Sequence, residues 1–354
     1  MNLFAVRRKF LSYLPGQPRL FGQVAVRRII LAHGEVTLCP PAIQLPNDMD
    51  GVTAVMEDTT PELERKRIAG GQYQHEPTVA LEFTGVRLHL GSIYRGSVSH
   101  RLVARHRLPA RSAPAISIGE AAIASTYYGS IYFAHLLTDD LTLHLAAETL
   151  APPVTVERCT YGHEPGYIDL LSIKRTLMRS ARFRRLYLLE DHGQNSYKRE
   201  RYNKLRSRLR ASAGPAFQTD HIVMIRRGTS GVARKLVNET QVEQFLVARG
   251  AIIIEPESLT PTEIARKLLG SRIVVGVEGS HLAHGFMAMA ERSCMLTLQP
   301  PYRFNSLFKD YTDCLSMRYA SLTGQEVEGG FTIDLNRLAR ILDLIEDTLS
   351  HPVI

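Results

Sequence analysis

Residues 276–284 read G-V-E-G-S-H-L-A-H, where an apolar β-branched run gives way to a stretch rich in Leu, Ala and Met. A carboxylate (Glu278), a glycine (Gly279), a hydroxyl (Ser280) and two imidazoles (His281, His284) at a strand-to-helix junction suit anion binding or proton transfer. In open α/β sheets ligands sit beyond the carboxyl ends of the strands, and the neighbouring strand ends carry similar groups. Arg226 and Arg227 follow the run beginning at His221, and Glu255 and Glu257 follow "AIII". The loop after Arg227 adds Gly228, Gly231, Arg234 and Lys235, and it leads to Asn238-Glu239 at the start of the next helix. Glycines and cations beside helix starts suit a diphosphate, and a carboxylate such as Glu257 suits ribose hydroxyls. A nucleotide-diphosphate site is therefore expected. Neither G-x-G-x-x-G nor G-x-x-x-x-G-K-[ST] is present, so dinucleotide and P-loop readings have no motif behind them.

Plainer readings compete with parts of this set. A single Arg or Glu at a strand end is commonly a solvated loop charge. His281 and His284 stand at i, i+3 without a third ligand, so no divalent metal is expected. Asp48-Met-Asp50 has the D-x-D spacing of metal–diphosphate sites, but so short a pattern in an N-terminal loop is more simply coincidence. Asp310-Tyr-Thr-Asp313 is weaker still.

The elements that must position these groups follow from periodicity. In the second half, strands are predicted at 221–227, 251–256, 272–278 and 294–300, with helices between them. Asn238 with Gln241, and Thr260-Pro261 with Glu263, read as helix N-caps with capping boxes. Strands alternating with helices across short loops predict a doubly wound parallel sheet. Upstream, 75–105 alternates polar and apolar residues with glycine-bearing turns, as short antiparallel strands do. Residues 126–150 read as one or two amphipathic helices, 184–191 as a strand, 197–214 as a helix and 211–220 as a linker.

At 354 residues two domains are the better expectation. The composition, 44% hydrophobic and 22% charged, is that of an ordinary soluble chain, and no apolar run approaches the roughly 20 residues of a membrane span. Arg7, Arg8 and Lys9 sit mid-segment without an A-x-A pattern, so no signal peptide is expected. Four cysteines (Cys39, Cys159, Cys294, Cys314) lack zinc or C-x-x-C spacing and are expected to be reduced thiols of a cytoplasmic protein. The net charge of +8 gathers in 179–187 and 197–214, with seven Lys/Arg (Lys198, Arg199, Arg201, Lys204, Arg206, Arg208, Arg210) against one Glu in 197–210. Either this is a solvated helix face, or it meets an anionic partner, with a lipid surface or diphosphate carrier ahead of nucleic acid, which has no module signature here.

A further chemical pattern is Tyr132-Phe133-Ala134-His135-Leu136-Leu137-Thr138-Asp139. An imidazole has an ordinary pKa of about 6.5, suited to proton transfer, and a carboxylate at i, i+4 would orient it. The plainer alternative is a half-buried helix histidine with its hydrogen bonds satisfied.

Together "YFAHLLTD" and "VMIRRGTSGVARKLVNETQ…RIVVGVEGSHLAHGF" resemble glycosyltransferase family 61. The second block matches closely over about 65 residues, and a looser likeness runs from about 120 to 320. The sequence departs from the family pattern at three positions: Glu278 stands for the usual His, Ser280 for Ala, and His284 for Asn. The resemblance implies a GT-B-like fold, two Rossmann-like domains facing across a cleft, here with extra antiparallel strands in the N-terminal half. It places an acceptor-side domain at 1–213, a donor domain at 214–330 and a C-terminal helix at 331–354 that would pack back on the N-terminal domain. It also implies an inverting transferase of surface polysaccharide biosynthesis that uses a nucleotide-sugar, a UDP-sugar first, without an obligatory metal. The acceptor is a saccharide, lipid-linked at the inner membrane face if the basic segments meet a membrane. His135 with Asp139 is the expected base, and Glu278 the alternative. Arg226, Arg227, Arg234, Asn238, Glu239, Glu257, Gly279, Ser280, His281 and His284 are the expected donor-binding residues. The competing class is a non-catalytic nucleotide- or glycan-binding scaffold; an epimerase or nucleotidase would lack any motif of its own.

Overall fold

The computed structural model describes residues 20–104, 115–228 and 234–351. Arg7, Arg8, Lys9 and Gly231 lie outside them. Two compact units divide the chain. The first takes in residues up to Glu35, His75–Ile168 and Ser172–Arg201; the second takes in Val36–Gln74, Asp169–Leu171 and the chain from Tyr202 onward.

The second unit holds a five-stranded sheet, parallel throughout: Ile252–Ile254, His221–Ile225, Ser271–Val277, Cys294–Gln299 and Arg318–Thr323. Numbered along the chain, the strand order is 2-1-3-4-5, which puts the topological switch point between His221–Ile225 and Ser271–Val277. Both His221–Ile225 and Cys294–Gln299 are buried at every position, as the unbroken apolar runs require of strands covered on two faces. Helices Glu239–Ala248, Pro261–Leu268, Leu282–Ala288 and Leu307–Cys314 make the crossovers. The predicted capping box at Thr260 is formed, with Thr260 N donating to Glu263 Oε2 at 2.8 Å and Glu263 N to Thr260 Oγ1 at 3.3 Å. Asn238 makes no such cap. Its amide instead clamps Ile333, donating to the carbonyl at 2.8 Å and accepting from N at 3.0 Å.

Two segments fall differently from the expected 1–213, 214–330 and 331–354. Val36–Gln74 belongs with the parallel sheet because its backbone pairs along the last strand: Ile43 N donates to Tyr319 O at 2.9 Å and Ser321 N to Ile43 O at 3.2 Å. The amphipathic helix Leu335–Ser350 buries Leu338, Ile341, Leu342 and Ile345 in the same core as Met224, Val275, Leu296 and Leu298, so it completes the second unit.

The first unit is built on an eight-stranded mixed sheet, which departs from a second Rossmann-like parallel domain. Thr78–His89 pairs antiparallel with Arg27–Ala32, Ser92–Arg95 and Ser180–Glu190. A two-residue connection from His89 to Ser92 can only form a hairpin, because parallel neighbours need a long crossover. Ser180–Glu190, Ile116–Ile123, Pro153–Val156 and Thr176–Met178 are parallel. The predicted helix within 126–150 appears as Phe133–His135, a π-helical turn over Leu136–Asp140, and Leu141–Ala147. Single π turns inside helices recur at functional sites.

The basic helix Ser196–Ala213 does not present its cations as one charged face. Lys198, Arg201 and Arg206 are buried, and of the seven only Lys204 is fully exposed. Arg201 makes a bidentate pair with Asp191 at 2.8 Å on both arms, and Arg206 donates to the carbonyls of Phe286 and Met289. Three of the seven cations are thus spent in packing, and the other four remain half-buried or exposed. No helix among the described residues is long and apolar enough to cross a membrane.

Candidate active site

At the switch point of the parallel sheet, the two arginines after His221–Ile225 part company. Successive residues of an extended chain point to opposite sides. Arg226 turns to helix Glu239–Ala248 and makes a bidentate pair with Glu243, at 2.5 and 2.7 Å, with Glu255 at 3.5 Å. Arg227 turns the other way and donates to Glu278 O at 3.1 Å; Arg234 Nη1 reaches the same carbonyl at 3.0 Å. Gly279 lies beneath these guanidiniums with φ +151°, and a Cβ there would overlap Arg227 Nη1 and stand 2.9 Å from Arg234 Nη1. Only glycine lets two guanidiniums settle on this turn.

The Glu278 side chain is buried and well occupied. Oε2 meets Arg234 at 2.9 Å and Arg303 at 3.1 Å, while Oε1 accepts from Asn305 at 3.1 Å. With both carboxylate oxygens taken by two guanidiniums and an amide, the geometry favours Glu278 as the organiser of Arg234 and Arg303. Three arginines against one carboxylate leave the turn net positive, an arrangement suited to an anion. Burial lowers the pKa of Arg227, and Arg303 adds to this against the pull of Glu278.

His281 folds back over the strand, with Nε2 3.3 Å from where a Cβ on Gly276 would be. Burial first, then Arg227, His284 and Arg234, hold its pKa well below the ordinary value, so it is neutral at pH 7. His284 is buried one turn later, and Ser280 is half-buried at the turn. Glu257 lies against Gly228, whose Cβ would overlap its carboxylate. Glu239 is half-buried on the Arg226 side, its pKa raised by burial and by Glu243. Of the expected donor residues, Arg227, Arg234, Gly279, Ser280, His281 and His284 come together; Arg226, Asn238 and Glu239 are turned to neighbouring elements.

In the first unit, His135 Nδ1 stands 2.5 Å from Asp139 Oδ2 across the π turn. An ionised carboxylate only accepts, so Nδ1 donates, and in the neutral ring the lone pair is at Nε2. Lys198 Nζ donates to Asp139 Oδ1 at 2.8 Å and to Asp191 O at 3.0 Å. Burial works to neutralise Asp139, but Lys198 and then His135 overcome it and hold the carboxyl well below the usual range. A half-exposed ring cluster adjoins the imidazole: Tyr128 at 5.4 Å and Tyr132 at 5.8 Å between centroids.

The D-x-D carboxylate Asp48 is buried and fully used, accepting from Thr323 N and Oγ1 and from Arg337. Asp310 accepts from Arg67 and Asp313 from Lys309. Among the described residues no group of three or more His, Cys, Asp or Glu side chains is placed to hold a metal ion.

Lys198, Arg303, Asn305 and the tyrosines are absent from the sequence-derived set. Arg303 and Asn305 closely follow the strand Cys294–Gln299, so the strand-end rule applied once more would have found them. The density of tyrosine in "TYYGSIYF" was a signal as well. Lys198 had none beyond its place in a basic helix.

No match is found among curated proteins. Among solved structures, a mutant of a flavo di-iron protein from Thermotoga maritima aligns at 10% identity and a TM-score of 0.28, over 60% of this chain and 52% of that one. The match thus spans about half the length of that protein, and a likeness so slight carries no argument. The glycosyltransferase 61 family model, by contrast, matches residues 56–296 and takes in both His135–Asp139 and the whole run from Arg226 to His284. With both blocks inside that match, the chain belongs to glycosyltransferase family 61.

Proposed function

We propose that the protein is an inverting glycosyltransferase, moving a sugar from a nucleotide-sugar, a UDP-sugar first, to a saccharide acceptor of surface polysaccharide. The observation that carries this reading is the His135–Asp139 pair, with Asp139 kept ionised by Lys198. Inversion by single displacement needs one base, and an imidazole whose ring is oriented through Nδ1, leaving Nε2 toward the acceptor, meets that need. Nε2 takes the proton of the acceptor hydroxyl as its oxygen bonds to the anomeric carbon. The bond from that carbon to the diphosphate oxygen breaks, and the nucleoside diphosphate leaves with the electron pair.

Stabilising the leaving group falls to Arg227 and Arg234, desolvated and fixed over Gly279. Fixed guanidiniums supply positive charge without a metal. The test is incubation with UDP-, GDP- and CMP-sugars, following nucleotide release and the anomer of the product by NMR. Release from one nucleotide class with inverted configuration is expected. Retained configuration, or binding without turnover for every donor, would overturn the reading, the latter in favour of a scaffold.

A further inference from the structure

Three tyrosines cluster beside His135 with no part in the proton transfer just described. Tyr128 and Tyr132 lie nearly parallel, 16° between planes with centroids 6.3 Å apart, and Tyr127 meets Tyr128 edge-on at 5.8 Å. Tyr128 is 44% exposed, and Tyr127 and Tyr132 are half-buried. Tyr128 also packs its ring on the His135 imidazole, 31° between planes.

The loop that presents them is firmly held. Ile131 N and Tyr132 N both donate to Tyr128 O, at 2.9 and 2.8 Å. Thr126 donates from N and Oγ1 to the buried Asp140, each at 2.8 Å, and Tyr161 Oη donates to Gly129 O at 3.1 Å. Behind it, Phe133 packs on Tyr161 and Tyr167. Rigid rings with two rotatable bonds bind at low entropic cost, and their hydroxyls adapt to polar edges.

We propose that Tyr127, Tyr128 and Tyr132 form a stacking platform for a pyranose ring of the acceptor, which makes the acceptor a preformed glycoside. The apolar C–H face of a pyranose suits the negative face of a tyrosine ring, while its equatorial hydroxyls project outward to meet hydrogen-bonding groups. The imidazole packed against these rings has its Nδ1 taken by Asp139, so Nε2 is the nitrogen that would meet a hydroxyl of a sugar held there. The inference rests on the assignment of His135 as base to a saccharide acceptor. It adds the feature that selects a sugar over a simple alcohol.

The test uses saturation-transfer NMR of the full-length protein with methyl pyranosides and short gluco-, galacto- and xylo-oligosaccharides, needing no turnover. Saturation on the C–H protons of one pyranose face is expected, reduced in Tyr128→Ala and recovered in Tyr128→Phe, which keeps the ring. Where transfer is measurable, Tyr128→Ala raises the acceptor KM about tenfold, the scale of one aromatic contact. Saccharide contacts unchanged in Tyr128→Ala would overturn the platform. So would a rise in donor KM alone, which would give the rings to a nucleobase. Failure of every donor to turn over would remove the proposed function but leave the NMR result to decide the platform.

Discussion

Lys198 and His135 share one carboxylate, the ammonium on Asp139 Oδ1 at 2.8 Å and the imidazole on Oδ2 at 2.5 Å. The lysine is itself fixed by Asp191 O at 3.0 Å, and Asp191 is fixed by Arg201 and by Thr78 at 2.7 Å. Two donors on opposite oxygens leave Asp139 nothing to do but orient the ring and keep its charge. Electrostatic support of this kind is strongest where water is excluded.

Because the folded pKa of Asp139 is depressed, its contribution to stability is present above the unfolded value of about 3.9 and lost as pH falls below it. Asp139→Asn should therefore flatten the acid limb of stability below about pH 4. Lys198→Met, which removes one partner of a buried pair, should cost about 3–5 kcal/mol at neutral pH. Urea midpoints between pH 2 and 7 check both; an unchanged acid limb in Asp139→Asn would count against the ionised carboxylate.

His135→Ala should lower transfer by about 10²–10⁴ while leaving the affinity for the nucleoside diphosphate near that of the wild type. Calorimetric titration beside a rate assay separates the two. Parallel loss of affinity and rate would point to folding or donor binding instead.

Asp140 behaves oppositely to its neighbour, since burial pushes its carboxyl up to about 7. A raised folded pKa gives stability that is present below the unfolded value and lost as pH rises through the folded one, so the window is about pH 4–7. Asp140→Asn keeps the acceptor for Thr126 without the charge. Relative to wild type it should gain stability from pH 5 to pH 8, by roughly 2–3 kcal/mol. Denaturation at the two pH values measures the gap, and a gap that does not widen would refute the shift.

Arg227→Ala should weaken nucleoside-diphosphate binding by about 10–100-fold, the loss of one charge-assisted contact. Arg226→Ala should leave that affinity nearly unchanged and lower stability by no more than about 1 kcal/mol, because its half-exposed pair with Glu243 is largely screened by water. Equal losses in the two variants would mean that both arginines face the donor.

Chelation should leave transfer largely intact, since Asp48 spends its oxygens on Thr323 and Arg337. Activity abolished by EDTA and restored by Mn²⁺ would assign a metal role to other residues.

What the sequence determined by itself was local and periodic. Apolar runs buried on two faces marked four of the five parallel strands; Thr260-Pro261 with Glu263 marked a helix start, and the four-residue spacing of His135 and Asp139 put them on one face. Each depends on residues within a turn or two of one another, so the neighbours alone suffice. Partner choice lay beyond that reach. Arg226 and Arg227 are alike as letters, and the pleat of the strand sent one to Glu243 and the other to Glu278. Lys198, 59 residues from Asp139, read as one more surface cation until folding buried it. Asn238 looked like a cap and became a clamp on Ile333, 95 residues away. A buried charge must find an opposite charge or a carbonyl, and which one it finds is decided by the packing of distant segments.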